Sequence, residues 1–423
     1  MTGKLLKGFF IVVLLGVLSL LGVIAQGENS EIYTFPSMHI EMEQPLHRHI
    51  WQSAVVSVTS ENFRHEFSTA DVQIRGRGQS TWRAGVKRPF RIRFDTPREM
   101  IGAGHVAHDW TFISYHADRS LMRGYSARYL ANLLDGMYMS PFGRFVNIYI
   151  NGEYQGVYLM SIQVSEATVG RAELTRHQNP TISEYMIEMN GHAMPRANDL
   201  DEVIVIRGRA YEIRFPSRSR LTCGHIQYVE DYLDRVYDLI FDHDDEVFRY
   251  IHLPSFVDFY IVQELFKNLD IGFNSVFMQI RGHGAHRRLE MGPVWDFDGS
   301  SGNSIFNAEF IPYGHHPYGL WAGISNRWYR NLLQMPTFRD ALVYRWNEVK
   351  DAEIRQMIDH IDYKTHRYEY AFLRNFDVWC IYGSDRGTAP PEFAYVTTFR
   401  GHVDYLIDYF ERRVVWLDEY FNR

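Results

Sequence analysis

The chain has 423 residues, 46% hydrophobic and 22% charged, with a formal net charge of −7. That length holds one large domain or two lobes with ample core, and the composition is that of a globular protein. The acidic balance argues against a general nucleic-acid binder, and an aromatic fraction of 15% calls for a well-packed interior or a stacking surface.

At the N-terminus, Lys4 and Lys7 precede an apolar run from Phe9 to Ile24, and Val23, Ile24 and Ala25 resemble a small-residue cleavage site. Residues 1–25 read as a signal peptide or an uncleaved signal anchor. The expected location is secreted or extracytoplasmic, with residues 9–24 as the anchor if uncleaved. No cysteine lies nearby, so a lipoprotein anchor is excluded. The two cysteines, Cys223 and Cys380, allow one disulfide or two free thiols.

Residues 26–168 read mostly as strands. β-branched alternation marks Ala54–Val58, Val72–Arg75, Phe90–Phe94 and Phe145–Ile150. Asn151-Gly152 joins the last of these to Tyr154–Leu159 as a hairpin. One helix interrupts, from Leu121 to Leu134, with Asp118 or Ser120 as its cap and Arg119 and Arg123 on one face. Helical spacing returns in Tyr228–Phe241 and again from Pro254 to Phe266, and Asp270 follows on a turn with Gly272. Ser275–Arg281 reads as a strand, Arg288–Phe297 as its hairpin partner, and Arg327–Arg423 as helical. The expected fold class is α+β: a β-rich lobe over 26–168, a mainly helical lobe over 169–423, and a ligand cleft between them.

Two stretches carry chemistry. The first joins two strands by a loop with Gly76, Gly78, Ser80 and Thr81. Glycines let backbone amides approach an anion, and arginines and a lysine supply charge. Arg75, Gly76, Arg77, Gly78, Ser80, Lys87 and Arg93 are therefore candidate phosphate-binding residues. Phe90, Ile92 and Phe94 share one strand face, so Arg91 and Arg93 share the other. A hairpin turn with a solvated basic face is the alternative.

In the second stretch Asp270 precedes Asn274 by four residues, and Asp296 and Asp298 flank Phe297. Asp, Asn and Asp in that order are the minimum equipment for phosphoryl transfer. Asp270 would orient or deprotonate an attacking hydroxyl. Asn274, Asp296 and Asp298 would hold magnesium or manganese, which prefer hard oxygen ligands. Two aspartates on one strand face repel unless a cation compensates. The competing reading is a satisfied turn and two solvated edge charges. There is no HExxH, GxSxG or Walker A pattern.

The blocks IRGRGQSTW, KRPFRIRF, HADRSLMR, VNIYINGEYQGVYL, NLDIGFNS and VWDFDGSSGN, with RWYRNLL and Arg345-Trp346, resemble the CotH family of spore coat protein H kinases. The match runs in order over roughly residues 35 to 415. The resemblance implies an atypical, secreted protein kinase with a two-lobed fold that binds ATP and a divalent metal. It makes Asp270 the catalytic aspartate, Asn274 and Asp296 metal ligands, and Asp298 a second carboxylate ligand. The chain departs from the family pattern at Ile162, where a Glu is expected; Glu166 comes later.

The expected activity is transfer of a phosphoryl group from ATP to Ser or Thr of an extracytoplasmic coat or surface protein. A catalytically weak member acting as an assembly protein at the cell surface is the alternative. A metal-dependent enzyme on another phosphate substrate is a third.

Overall fold

Seven strands in the first part of the chain alternate inward apolar and outward polar residues, and they close on themselves. The computed structural model describes residues 32–78, 80–83, 87–137, 140–164, 174–196, 202–304, 315–382 and 389–423. The expected leader, residues 1–25, and Glu166 lie outside the described residues, as does the expected lobe boundary at 168. Among the described residues no helix is long and apolar enough to cross a membrane.

The barrel strands are β1 (Ser37–Glu41), β2 (Gln52–Thr59), β3 (Phe67–Gly76), β4 (Phe90–Glu99), β5 (Val106–Ile113), β6 (Gly143–Ile150) and β7 (Glu153–Ile162). Their order is β1-β2-β3-β4-β5-β7-β6. Neighbours are antiparallel except β1 and β6, whose parallel pairing closes the barrel. Closure removes the free edges that would otherwise template association. Ile40, Val56, Ile74, Phe90, Ile92, Trp110, Phe112, Ile148, Met160 and Ile162 fill its interior. The Asn151-Gly152 turn is as expected, with φ of 49° and 82°, the left-handed pair that a two-residue hairpin requires.

A second sheet lies in the part of the chain expected to be mainly helical. Its strands are β8 (Tyr185–Met189), β9 (Val203–Ile206), β10 (Arg209–Phe215), β11 (Val276–Arg281) and β12 (Arg288–Met291), in the order β12-β11-β8-β10-β9. One face carries Ile187, Met189, Tyr211, Ile213, Val276 and Met278 into the main core. The opposite row, Glu188, Glu212 and Phe277, is in register across three strands.

Eight longer helices complete the described fold: α1 (Arg123–Leu133), α2 (Cys223–Phe241), α3 (Leu253–Phe266), α4 (Arg327–Leu332), α5 (Pro336–Val349), α6 (Glu353–Arg367), α7 (Glu369–Val378) and α8 (Phe399–Phe421). The architecture is mixed α+β. α3 is buried on all sides between α1, α5, α8 and β12; a helix with apolar residues on every face is stable only inside a core. α7 packs on β7, where Asn375 Oδ1 accepts from Val157 N at 3.1 Å and Trp379 Nε1 donates to Gln155 O at 2.9 Å.

α1 begins at Arg123, later than its sequence suggests. Asp118 accepts from Arg123 N at 2.9 Å and so satisfies an orphan amide of the first turn. Arg119 lies outside the helix and donates to Ile381 O, so it does not share a helical face with Arg123. Cys223 and Cys380 are exposed free thiols.

Candidate active site

α3 ends at Lys267, whose φ of 48° turns the chain out of the helix. Asn268 then caps a single tight turn, Leu269–Gly272, by accepting from Asp270 N at 3.2 Å. Asp270 O accepts from Phe273 N and Asn274 N, each at 2.9 Å. The four-residue spacing read in the sequence is thus one closed loop, and it brings Asp270 and Asn274 to the same cavity.

That cavity, about 560 Å³, is walled by three parts of the fold. The barrel supplies Arg77, Gly78, Pro89, Ile113, Tyr115 and Gln163. The second sheet supplies Glu188, Glu212, Arg214 and Phe277, with Asn190 and His192 just beyond β8. The remaining wall holds Asp270, Asn274, Ser275, Trp295, Asp296 and Asp298.

Asp296 and Asp298 reach the cavity by a different route from the one expected. β12 ends at Met291, and Val294–Phe297 is not strand. The same-face argument therefore fails: Asp296 sits in left-handed backbone, φ 57°, which re-aims its side chain. Ser275, also left-handed at φ 54°, donates from Oγ to Asp296 Oδ2 at 2.8 Å. Two strained non-glycine residues held together by one hydrogen bond are the kind of cost that clusters at functional sites. The loop that follows is pinned from behind. Arg123 donates to Ser300 O and Ser301 O, Ser301 N to Phe266 O at 2.8 Å, and Asn303 Nδ2 to Asp298 O at 2.7 Å.

The electrostatics are those of a site short of positive charge. Burial, then Asp296, Asp298 and Glu188, push the Asp270 carboxyl up to about 7. Burial and Asp296 raise Asp298 to about 6. Burial takes Glu188 to about 7 although Arg214 opposes it, with Arg214 Nε 2.7 Å from Glu188 Oε2. Asn274 is buried; its Nδ2 meets His192 Nε2 at 3.2 Å, while its Oδ1 has no hydrogen-bond partner among the described residues. A buried amide oxygen left bare beside repelling carboxylates is a donor set that a hard cation would satisfy. Among the described residues no three His, Cys, Asp or Glu side chains converge on one point. The set fits a metal held by one amide and one or two carboxylates, with phosphate oxygens supplying further ligands, as magnesium sites commonly do.

The phosphate-binding candidates divide. Arg77 and Gly78 line the cavity; Arg77 lies 5.6 Å and Arg128 4.4 Å from the Trp295 ring. Arg75 and Arg93 do not line it. They stack on Trp51 outside the barrel, at 4.7 and 4.6 Å. Lys87 is fully buried elsewhere, donating to Val157 O and to Asn375 Oδ1 at 2.7 Å, so it ties the barrel to α7 instead of reaching a phosphate. Gly76 makes room for Trp82: a Cβ there would sit 2.1 Å from the indole. Ser80 opens a helical turn, Ser80–Arg83, and its side chain lies outside the described set. Ile162 faces the barrel core, and its neighbour Gln163 faces the cavity.

Sequence reasoning missed Glu188, Asn190, His192, Glu212 and Arg214. The available signal was Glu-Ile-Arg in Tyr211–Phe215, where Glu212 and Arg214 share a face between inward Tyr211, Ile213 and Phe215.

No curated protein matches the chain. Residues 73–417, most of its length and every cavity residue named above, match the family described as CotH kinase protein. The chain belongs to the CotH kinase family.

Proposed function

We propose that the protein is an ATP-dependent kinase that phosphorylates Ser or Thr of an extracytoplasmic coat or surface protein. The observation that carries this is the bare, buried Asn274 Oδ1 in one cavity with Asp270, Asp296 and Asp298. Asn274 and Asp296, with Asp298, would hold magnesium or manganese. When bound, the cation would neutralise charge on the nucleotide's phosphate oxygens. Arg77 and the Gly78 backbone would face the phosphates from the barrel side.

Asp270 would accept the proton of the acceptor hydroxyl. That oxygen bonds to the γ-phosphorus as the bond to the bridging oxygen breaks, and ADP leaves. A carboxyl raised to about 7 is matched to proton transfer near neutral pH. The barrel and the remainder of the chain would act as the two lobes of a kinase-like fold, 26–168 and 169–423. Support for export is the basic-then-apolar pattern of residues 1–25.

The test is incubation of purified protein with γ-labelled ATP and magnesium or manganese, followed by phosphoamino-acid analysis. Metal-dependent label on Ser or Thr, in the protein itself or a co-encoded surface protein, is the expected result. ATP binding without transfer would favour the assembly-protein alternative.

A further inference from the structure

We propose that the outer face of β3 and β4 is a docking strip for acidic side chains on the substrate polypeptide. It rests on the kinase reading for the substrate's identity. Register pairs Arg75 with Arg91 and Gln73 with Arg93, so these side chains leave the barrel on one face while Ile74, Phe90 and Ile92 fill its interior. All three guanidinium groups gather on Trp51, at 4.7, 4.9 and 4.6 Å from its ring. Among the described residues one carboxylate serves all three: Asp109, bidentate to Arg93 at 2.8 and 2.9 Å. Arg91 Nε is buried with no hydrogen-bond partner among the described residues.

Three cations on one indole, in a chain of net charge −7, repel one another. Burial, opposed by Asp109 and reinforced by Arg75, Arg93 and Arg77, lowers Arg91 to about 10, which still leaves it charged at neutral pH. The Trp51 platform holds the guanidinium forks in place, so bidentate capture of carboxylates costs little further ordering.

The strip leads to the cavity. Arg77, two residues beyond Arg75, lines the cavity and interacts electrostatically with both Arg91 and Asp296. Arg75 and Arg93 do not line the cavity, so ATP phosphates are not their ligand. An extended peptide rises about 3.3 Å per residue. Acidic residues to one side of the acceptor would therefore reach the strip while the acceptor hydroxyl is in the cavity.

The test uses fluorescein-labelled peptides with one Ser flanked on one side by Glu, and matched peptides with Gln. Anisotropy at low salt should show the Glu peptide binding about tenfold tighter. In Arg75→Gln/Arg93→Gln the preference should vanish, while Arg75→Lys keeps most of it. If the double variant loses its thermal transition, Arg75→Glu replaces it. In phosphorylation assays the double variant should raise KM for the Glu peptide and leave kcat unchanged. Equal binding of Glu and Gln peptides, or an unchanged preference in the variant, would overturn the strip. So would tighter binding of a DNA oligonucleotide through the same arginines. Arginine-dependent peptide binding without phosphorylation would overturn the kinase reading and keep the strip. Phosphorylation of both peptides with equal KM would do the reverse.

Discussion

The framework and the cavity use the same charged and amide groups in opposite ways. In the framework, Asp118 and Arg123 are wholly buried at 2.6 Å, and Asp118 also accepts from Ser120 N and Ser120 Oγ. Glu264 and Arg413 are likewise wholly buried at 2.6 Å. Glu264 accepts from Trp321 N at 2.6 Å and Gly323 N at 2.9 Å, and Arg413 donates to Pro317 O and Gly319 O. Every charge there is matched, which is the condition under which burial is tolerable. In the cavity, among the described residues, no cation pairs with Asp270, Asp298 feels Arg128 without pairing to it, and Asn274 Oδ1 has no donor. The matched pairs fix loops; the unmatched groups are left for a ligand. The two regions are joined, because Arg123 grips the Ser300–Ser301 backbone just beyond Asp298.

The largest effect expected from breaking this contrast is on turnover. Asp270→Asn should lower phosphorylation by about 10²–10⁴-fold and leave ATP affinity nearly unchanged, as for a group acting mainly in the transition state. Steady-state kinetics and a binding titration on the same preparation check this; wild-type-like phosphorylation would sink the role. Next comes the framework. Glu264→Ala strips Arg413 of its partner in the core and should cost about 3–5 kcal/mol. Urea unfolding measures it, and an unchanged midpoint would contradict the matched-charge argument.

The smallest effect sharpens the contrast most. Asp298 is raised above its ordinary 3.8 to about 6, and Asp270 to about 7. The folded state therefore holds more protons than the unfolded one between these limits. The stability these groups contribute is complete below about pH 4 and is lost as pH rises through 6 to 7. Asp298→Asn should raise Tm by a few degrees at pH 8 and leave it unchanged at pH 4. Divalent cation should raise the wild-type Tm at pH 8. Thermal melts across pH 4–8 test both, and a lower Tm for the variant at pH 8 would count against the account.

What was legible in the sequence was local. Asn151-Gly152, the mostly apolar α3 and the Asp270–Asn274 spacing depend on a few neighbouring residues. Barrel closure was not legible, because β1 pairs with β6 more than a hundred residues away. β8 was missed because Tyr185–Met189 is buried on both faces and shows no period-two pattern. Asp296 and Asp298 were placed in the right cavity by a wrong argument, since a left-handed residue replaces the strand alternation. Arg75 and Arg93 were read as phosphate contacts because charge beside a Gly-rich loop does not say which barrel face it takes. In the fold they stack on Trp51, whereas Arg77 lines the cavity.

The most direct test is a calorimetric titration of ATP into the protein with and without magnesium or manganese. The account predicts saturable, single-site binding that requires metal and is lost in Asp296→Ala, with that variant still unfolding cooperatively. No nucleotide binding with either metal, or unchanged binding in Asp296→Ala, would contradict it.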